Sequence, residues 1–198
     1  TSLALRAHCK VHVCHLSTER ALKGIIAARR AGVKVTCEAA PHHLLLDQRV
    51  LARKRGLALM GPPLRNSRDA NSLWKSLIRS RIDVVASDHA PHTLEEKIRE
   101  KVWDVEPGVP GLETTLPLLL TKLSRNEITL DRIIDVLASG PARIFGLQRK
   151  GQLAAGMDAD VVLIDPKQHF RIDSSKFRSK VRFSPFDDVV CIGQPVLT

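Results

Sequence analysis

A chain of 198 residues, 43% hydrophobic and 4% aromatic, is long enough to bury one sizeable core and reads as a soluble globular protein. No apolar run reaches membrane-spanning length, and Arg6, His8 and Lys10 interrupt any apolar start, so neither a membrane segment nor a secretion signal is expected. The net charge of +10 raises nucleic acid as a partner, but the basic residues are dispersed, with clusters as short as Arg53-Lys54-Arg55 and no interleaved aromatics. Nucleic-acid binding is therefore not expected, and the charge suits an anionic substrate or an acidic partner.

In chain order, Lys10-Val11-His12-Val13-Cys14 alternates and is valine-rich, which predicts a strand ending at His15. Ser17, Thr18 and Glu19 supply helix-start chemistry for a helix over 21–31 closed by Gly32, and a second strand over 33–37 follows, completing a βαβ unit. A basic helix over 48–55 precedes Gly61-Pro62-Pro63-Leu64-Arg65, whose prolines predict a rigid loop. An amphipathic helix over 69–80 then feeds an apolar strand over 82–86. This alternation predicts α/β architecture with a parallel sheet.

Residues 94–104 are highly charged and predict a solvent-facing lid or connection, before the glycine-bearing turn Pro107-Gly108-Val109-Pro110-Gly111. Helices are predicted over 116–123, 130–138 and 141–145. The composition shifts near Lys150-Gly151, so residues 1–149 are expected to form one unit. Residues 150–198 are expected to be a small β-rich appendage, with a strand between Asp158 and Asp165 and short pieces broken by Pro166, Pro185 and Pro195. Four cysteines, Cys9, Cys14, Cys37 and Cys191, form no CxxC pair and read as reduced thiols of a cytoplasmic protein.

The chemistry centres on Ser87-Asp88-His89-Ala90-Pro91-His92, one carboxylate and two imidazoles at the end of a strand, where the parallel barrels of this class build their sites. His15 ends another strand, and Glu38, His42 and His43 follow a third. Imidazole and carboxylate are zinc donors. A packed thiol and a hydrogen-bonded carboxylate are the plainer readings of Cys14 and Glu38, and hydrogen bonding that of His42 and His43. His89 is read as orienting its loop.

Taken together, His12-Val13-Cys14-His15-Leu16-Ser17-Thr18, Cys37-Glu38-Ala39-Ala40-Pro41-His42-His43-Leu44, Gly61-Pro62-Pro63-Leu64-Arg65, residues 87–93 and Pro110-Gly111-Leu112-Glu113-Thr114 resemble the dihydroorotases of the amidohydrolase superfamily. The resemblance implies a metal-dependent TIM-like (β/α)8 barrel followed by a small composite β domain, two zinc ions per complete site, and reversible hydrolysis of dihydroorotate to N-carbamoyl-L-aspartate in pyrimidine biosynthesis. It implies His15 and Asp88 as metal ligands, Asp88 as the proton shuttle, and His92, Gly61, Pro110 and Gly111 as substrate contacts. Cys14 and Glu38 are candidates for an additional metal contact.

Two departures accompany it. Gly61 stands where the family usually offers Asn or Arg, which leaves an allantoinase- or hydantoinase-like substrate open. The family's opening His-x-His pair and bridging carboxylate would lie before Thr1. The sequence is therefore expected to be the C-terminal portion of such a barrel, with about three of the eight strands, inactive alone and partnered by the missing N-terminal half. A homo-oligomer, or a noncatalytic subunit supporting aspartate transcarbamoylase, are the further partner readings.

Overall fold

The computed structural model describes residues 2–198. After a short helix α1 (Ser2–Arg6), strand β1 (Val11–Val13) pairs in parallel with β2 (Val35–Ala39), which pairs in parallel with β3 (Val84–Val85). The register sets His12 beside Thr36 and Glu38 beside Val84. Helix α2 (Glu19–Arg30) makes the first crossover. The Thr18 hydroxyl accepts from the Ala21 amide at 3.1 Å to cap it, Glu19 complements the positive helix start, and Gly32 at φ 84° turns the chain back towards the sheet.

The return from β2 to β3 passes through α3 (Pro41–Leu45), α4 (Arg49–Lys54), a 3-10 turn (Arg55–Ala58) and α5 (Ser67–Ile78). The sequence reading contains no helix at 41–45. Pro41, whose fixed φ and missing N–H suit a first helical position, starts a single turn there and buries His42 and His43.

Strand β2 separates two environments by its period of two. Val35, Cys37 and Ala39 are buried on the face that packs against Leu22, Ile25 and Ala28 of α2 and Leu73 and Leu77 of α5. Thr36 and Glu38 point to the opposite, polar face, where they meet His12.

Beyond β3, the charged segment predicted to face solvent contains α6 (Leu94–Lys97), opened by a capping box in which Thr93 and Glu96 bond each other's backbone amides. It departs from the expectation at Lys97, which is 1% exposed. Helix α7 (Leu112–Ser124) follows, and α8 (Leu130–Ile134) runs through a π turn (Asp135–Ser139) into α9 (Gly140–Phe145). The two helices predicted over 130–145 are thus one irregular rod, because Pro141 has no N–H with which to continue the ordinary ladder.

The C-terminal segment forms an antiparallel pair of β4 (Leu163–Arg171) and β5 (Val190–Leu197). Here the expectation is corrected. Pro166 and Pro195 lie inside strands, and the register slips between Asp165 and His169. A two-stranded ribbon is all edge, so a proline facing outward removes no ladder bond. The ribbon docks on α7 through the Ile192 amide, which donates to Thr121 Oγ1 at 2.9 Å, and the segment joining its strands docks through the Arg178 and Ser179 amides, which Glu113 accepts, each at 3.0 Å. All four cysteines are free thiols, and no described helix is long and apolar enough to cross a membrane.

Candidate functional site

Because β1, β2 and β3 are parallel and adjacent, the residues that follow them emerge at one end of the sheet. Cys14 and His15 follow β1, His42 and His43 follow β2, and Asp88 follows β3. His15 (φ 37°) and Asp88 (φ 47°) both adopt left-handed backbone conformations, which cost a side-chain-bearing residue roughly 1–2 kcal/mol. Neighbouring bonds hold them there. The Leu16 amide donates to the Glu38 carbonyl at 2.9 Å, and the Ala90 amide to the Val109 carbonyl at 3.0 Å.

Asp88 is partly buried, with Oδ2 3.4 Å from Nε2 of the buried His42. That contact lacks hydrogen-bond alignment, so His42 Nε2 is a buried nitrogen without a hydrogen-bond partner. The adjacent His42 imidazole holds the Asp88 carboxyl below the usual carboxylate range against the opposing effect of burial, and His15 and His43 act in the same direction as His42. The structural hydrogen bond expected of His42 is thus not made at Nε2, which instead stands beside the Asp88 carboxylate.

His43 Nε2 lies 2.8 Å from the Pro62 carbonyl, joining α3 to the Gly61-Pro62 loop. Burial, then the nearby His42, pushes its pKa down to about 4. Its folded value lies below the ordinary 6.5, so the unfolded chain binds the extra proton first. The metal-free chain should keep this stability above pH 6.5 and lose about 2–3 kcal/mol of it between pH 7 and pH 4.5. Urea midpoints at the two pH values check this. His43→Phe should lack that part of the acid loss, and an unchanged acid loss would refute the assignment.

Cys14 and Glu38 come together with a residue that the sequence reading left out. His12 Nε2 is 3.0 Å from Glu38 Oε2 and its Nδ1 is 2.7 Å from Thr36 Oγ1. Donor atoms of His12, Cys14 and Glu38 all lie within 4.8 Å of one another. The signal was available in the alternation of β1, which places His12 and Cys14 on one face. Burial and the Glu38 carboxylate push the Cys14 thiol up. Imidazole, carboxylate and thiol are the donors that zinc takes, so the residues present fit that ion.

The remaining sequence-named residues rim the same end. His92 Nδ1 is 3.7 Å from Glu96 Oε2. Gly61 is exposed and precedes a cis bond to Pro62; a Cβ there would meet only Pro107 Cβ, at 3.8 Å, so crowding does not impose glycine. Gly111 is different, since a Cβ would collide with the Ser87 carbonyl oxygen, and this close approach seats buried Pro110 and Gly111 beside the Asp88 loop. His89 Nδ1 accepts the Gly111 amide at 3.1 Å and the Leu112 amide at 3.3 Å, which places the ring proton on Nε2. A cleft of about 600 Å³ lined by Arg68, Lys75, Arg79 and Arg81 lies on the helix flank and contains none of these residues.

An amidohydrolase family model matches residues 119–197. The dihydroorotase of Methanothermobacter thermautotrophicus is 44% identical over 198 residues, covering 99% of this chain and 44% of that protein. The dihydroorotase of Halobacterium salinarum is 45% identical over 181 residues, covering 91% of this chain and 42% of that protein. Among solved structures, an L-hydantoinase (dihydropyrimidinase) from Arthrobacter aurescens superposes with a TM-score of 0.94 at 34% identity, covering 98% of this chain and 44% of that one. A D-hydantoinase (dihydropyrimidinase) from Thermus sp. gives the same TM-score of 0.94 and coverage at 31% identity. The chain spans less than half the length of each of these relatives. Over nearly its whole length the chain is thus similar to part of the dihydroorotases and hydantoinases, and an amidohydrolase family model matches residues 119–197 of it.

Proposed function

We propose that the chain carries part of a zinc-dependent dihydroorotase site and acts, within a complete catalytic unit, on dihydroorotate and N-carbamoyl-L-aspartate. In this reading residues 1–149 belong to the barrel, residues 150–198 form its β-rich appendage, and the enzyme is cytoplasmic. The observation that carries it is the presentation of His15 and Asp88 at the same end of one parallel sheet, on the two strands that flank β2, both in left-handed backbone, with the unpartnered His42 nitrogen facing Asp88.

Zinc, when bound, supplies a nucleophile at neutral pH and draws electron density from the amide carbonyl. His15 and Asp88 would hold it, with Cys14, Glu38 and His12 as further donors. In hydrolysis the ring C–N bond breaks and a hydroxyl joins the carbonyl carbon. Asp88, kept ionised by His42, takes up the released proton and delivers it to the leaving nitrogen. His92 and the backbone of Pro110-Gly111 would receive the substrate's carboxylate and ring.

Gly61 favours a second reading, hydrolysis of hydantoin or allantoin, because open space there removes a side-chain contact on which specificity for dihydroorotate could rest. The test is to assemble the chain with the N-terminal portion of the Methanothermobacter dihydroorotase, load zinc, and compare the three substrates. Dihydroorotate should turn over fastest, with about two zinc ions per site. Preference for hydantoin or allantoin selects the second reading. A folded, zinc-loaded complex inert towards all three overturns both.

A further inference from the structure

Lysine is almost never fully buried unless its charge is paired, yet Lys97 is 1% exposed. Its Nζ donates to the carbonyls of Leu59, Glu106 and Gly108, each at 2.8 Å, so all three ammonium donors are satisfied by backbone. The Phe183 ring lies 5.9 Å from Nζ.

The three carbonyls are not scattered. Leu59 leads into Met60 and Gly61. Glu106 and Gly108 lead into Pro110-Gly111. Further bonds knit the same loops together: the Gly108 amide donates to the Leu59 carbonyl at 3.0 Å, and the Ala90 amide to the Val109 carbonyl at 3.0 Å. A Cβ on Gly108 would collide with the Ala90 carbonyl oxygen and lie 3.0 Å from His92 Cδ2, so this stretch is pressed directly against the Asp88 loop.

We propose that Lys97 is a positioning residue whose buried ammonium ties the loop that carries Gly61 to the loop that carries Pro110 and Gly111, and so fixes the surface on which the Asp88–His92 loop rests through Ala90. The proposal rests on the proposed reading of those residues as a substrate rim, and it adds the part that sets the rim's shape. Burial lowers the Lys97 pKa to about 8, with Glu106 opposing the shift, which leaves the ammonium form dominant at neutral pH. The side chain itself touches no candidate substrate contact. It acts through carbonyl oxygens whose own amide planes set the path of the rim.

Lys97→Met keeps the apolar stem and removes every donor. Two measurements test it. In the chain itself, amide hydrogen exchange at Gly108, Val109 and Gly111 should accelerate by about tenfold or more while amides of β2 change little. In the zinc-loaded complex assembled as above, KM for dihydroorotate should rise by about tenfold with kcat held within about threefold. Exchange that accelerates equally in β2 and the loops, with KM unchanged, would reduce Lys97 to a general stability residue and overturn the proposal. Unchanged exchange at the loops would overturn it too. If Lys97→Met does not fold, Lys97→Arg is read by the same criteria, because a planar guanidinium cannot reproduce three convergent bonds from one nitrogen. An inert wild-type complex would count against the dihydroorotase reading alone, since the exchange arm still decides whether Lys97 orders the loops.

Discussion

Asp88→Asn is expected to reduce kcat for dihydroorotate by about a thousandfold or more in the assembled, zinc-loaded enzyme, the upper part of the range for losing a positioned acid–base group. The amide matches the carboxylate in size, so the left-handed turn at residue 88 and the bond from Ala90 to Val109 can persist. What disappears is the negative charge facing His42 and a group able to take up a proton. Stopped assays on matched protein and zinc concentrations, with urea unfolding as a control for folding, make the measurement. A variant that keeps more than about a tenth of the turnover would remove Asp88 from the proton path.

Arg132→Met is expected to cost about 2–3 kcal/mol of stability, the range for losing hydrogen bonds made by a buried charged donor. Arg132 is 8% exposed, and its Nε donates to the Leu77 carbonyl at 2.8 Å. Its other nitrogens bond the Ile82 carbonyl and Asp135. One guanidinium thus joins α8 to the end of α5 and to the entry of β3, the strand that leads to Asp88. Methionine fills much of the volume but removes the charge-assisted bonds to both carbonyls and to Asp135, leaving Asp135 with Arg143 and the Leu77 carbonyl with the Ser80 amide. Urea denaturation at neutral pH checks the loss, and a change under about 1 kcal/mol would mean that the network is not a structural tie.

The β1–α2–β2 unit is legible in the sequence because its signals are local. Valine alternation, the cap at Thr18 and the stop at Gly32 each act within a few residues, and the structure ends those elements within a residue or two of their signals. The family likeness was legible for a related reason, since its motifs are short and fall at strand ends. Lys97 was not legible. A lysine in a charged stretch reads as solvated, and only the fold brings the Leu59 carbonyl, 38 residues away, to its ammonium. Pro166 and Pro195 misled because proline argues against a central strand, and nothing local reveals that the ribbon has no centre. The contact of His42 with Asp88 was likewise invisible, depending on a turn begun by Pro41 and on the end of β3.

Helix α7 has 13 residues and is therefore roughly 20 Å long. His89 grips its first turn, while Thr121 fastens the ribbon of β4 and β5 to it and Glu113 fastens the segment that joins the two strands. The appendage and the mouth of the sheet are in this way mounted on a single strut. The ribbon contributes to the geometry at Asp88 as ballast does to a keel, although none of the named site residues belongs to it.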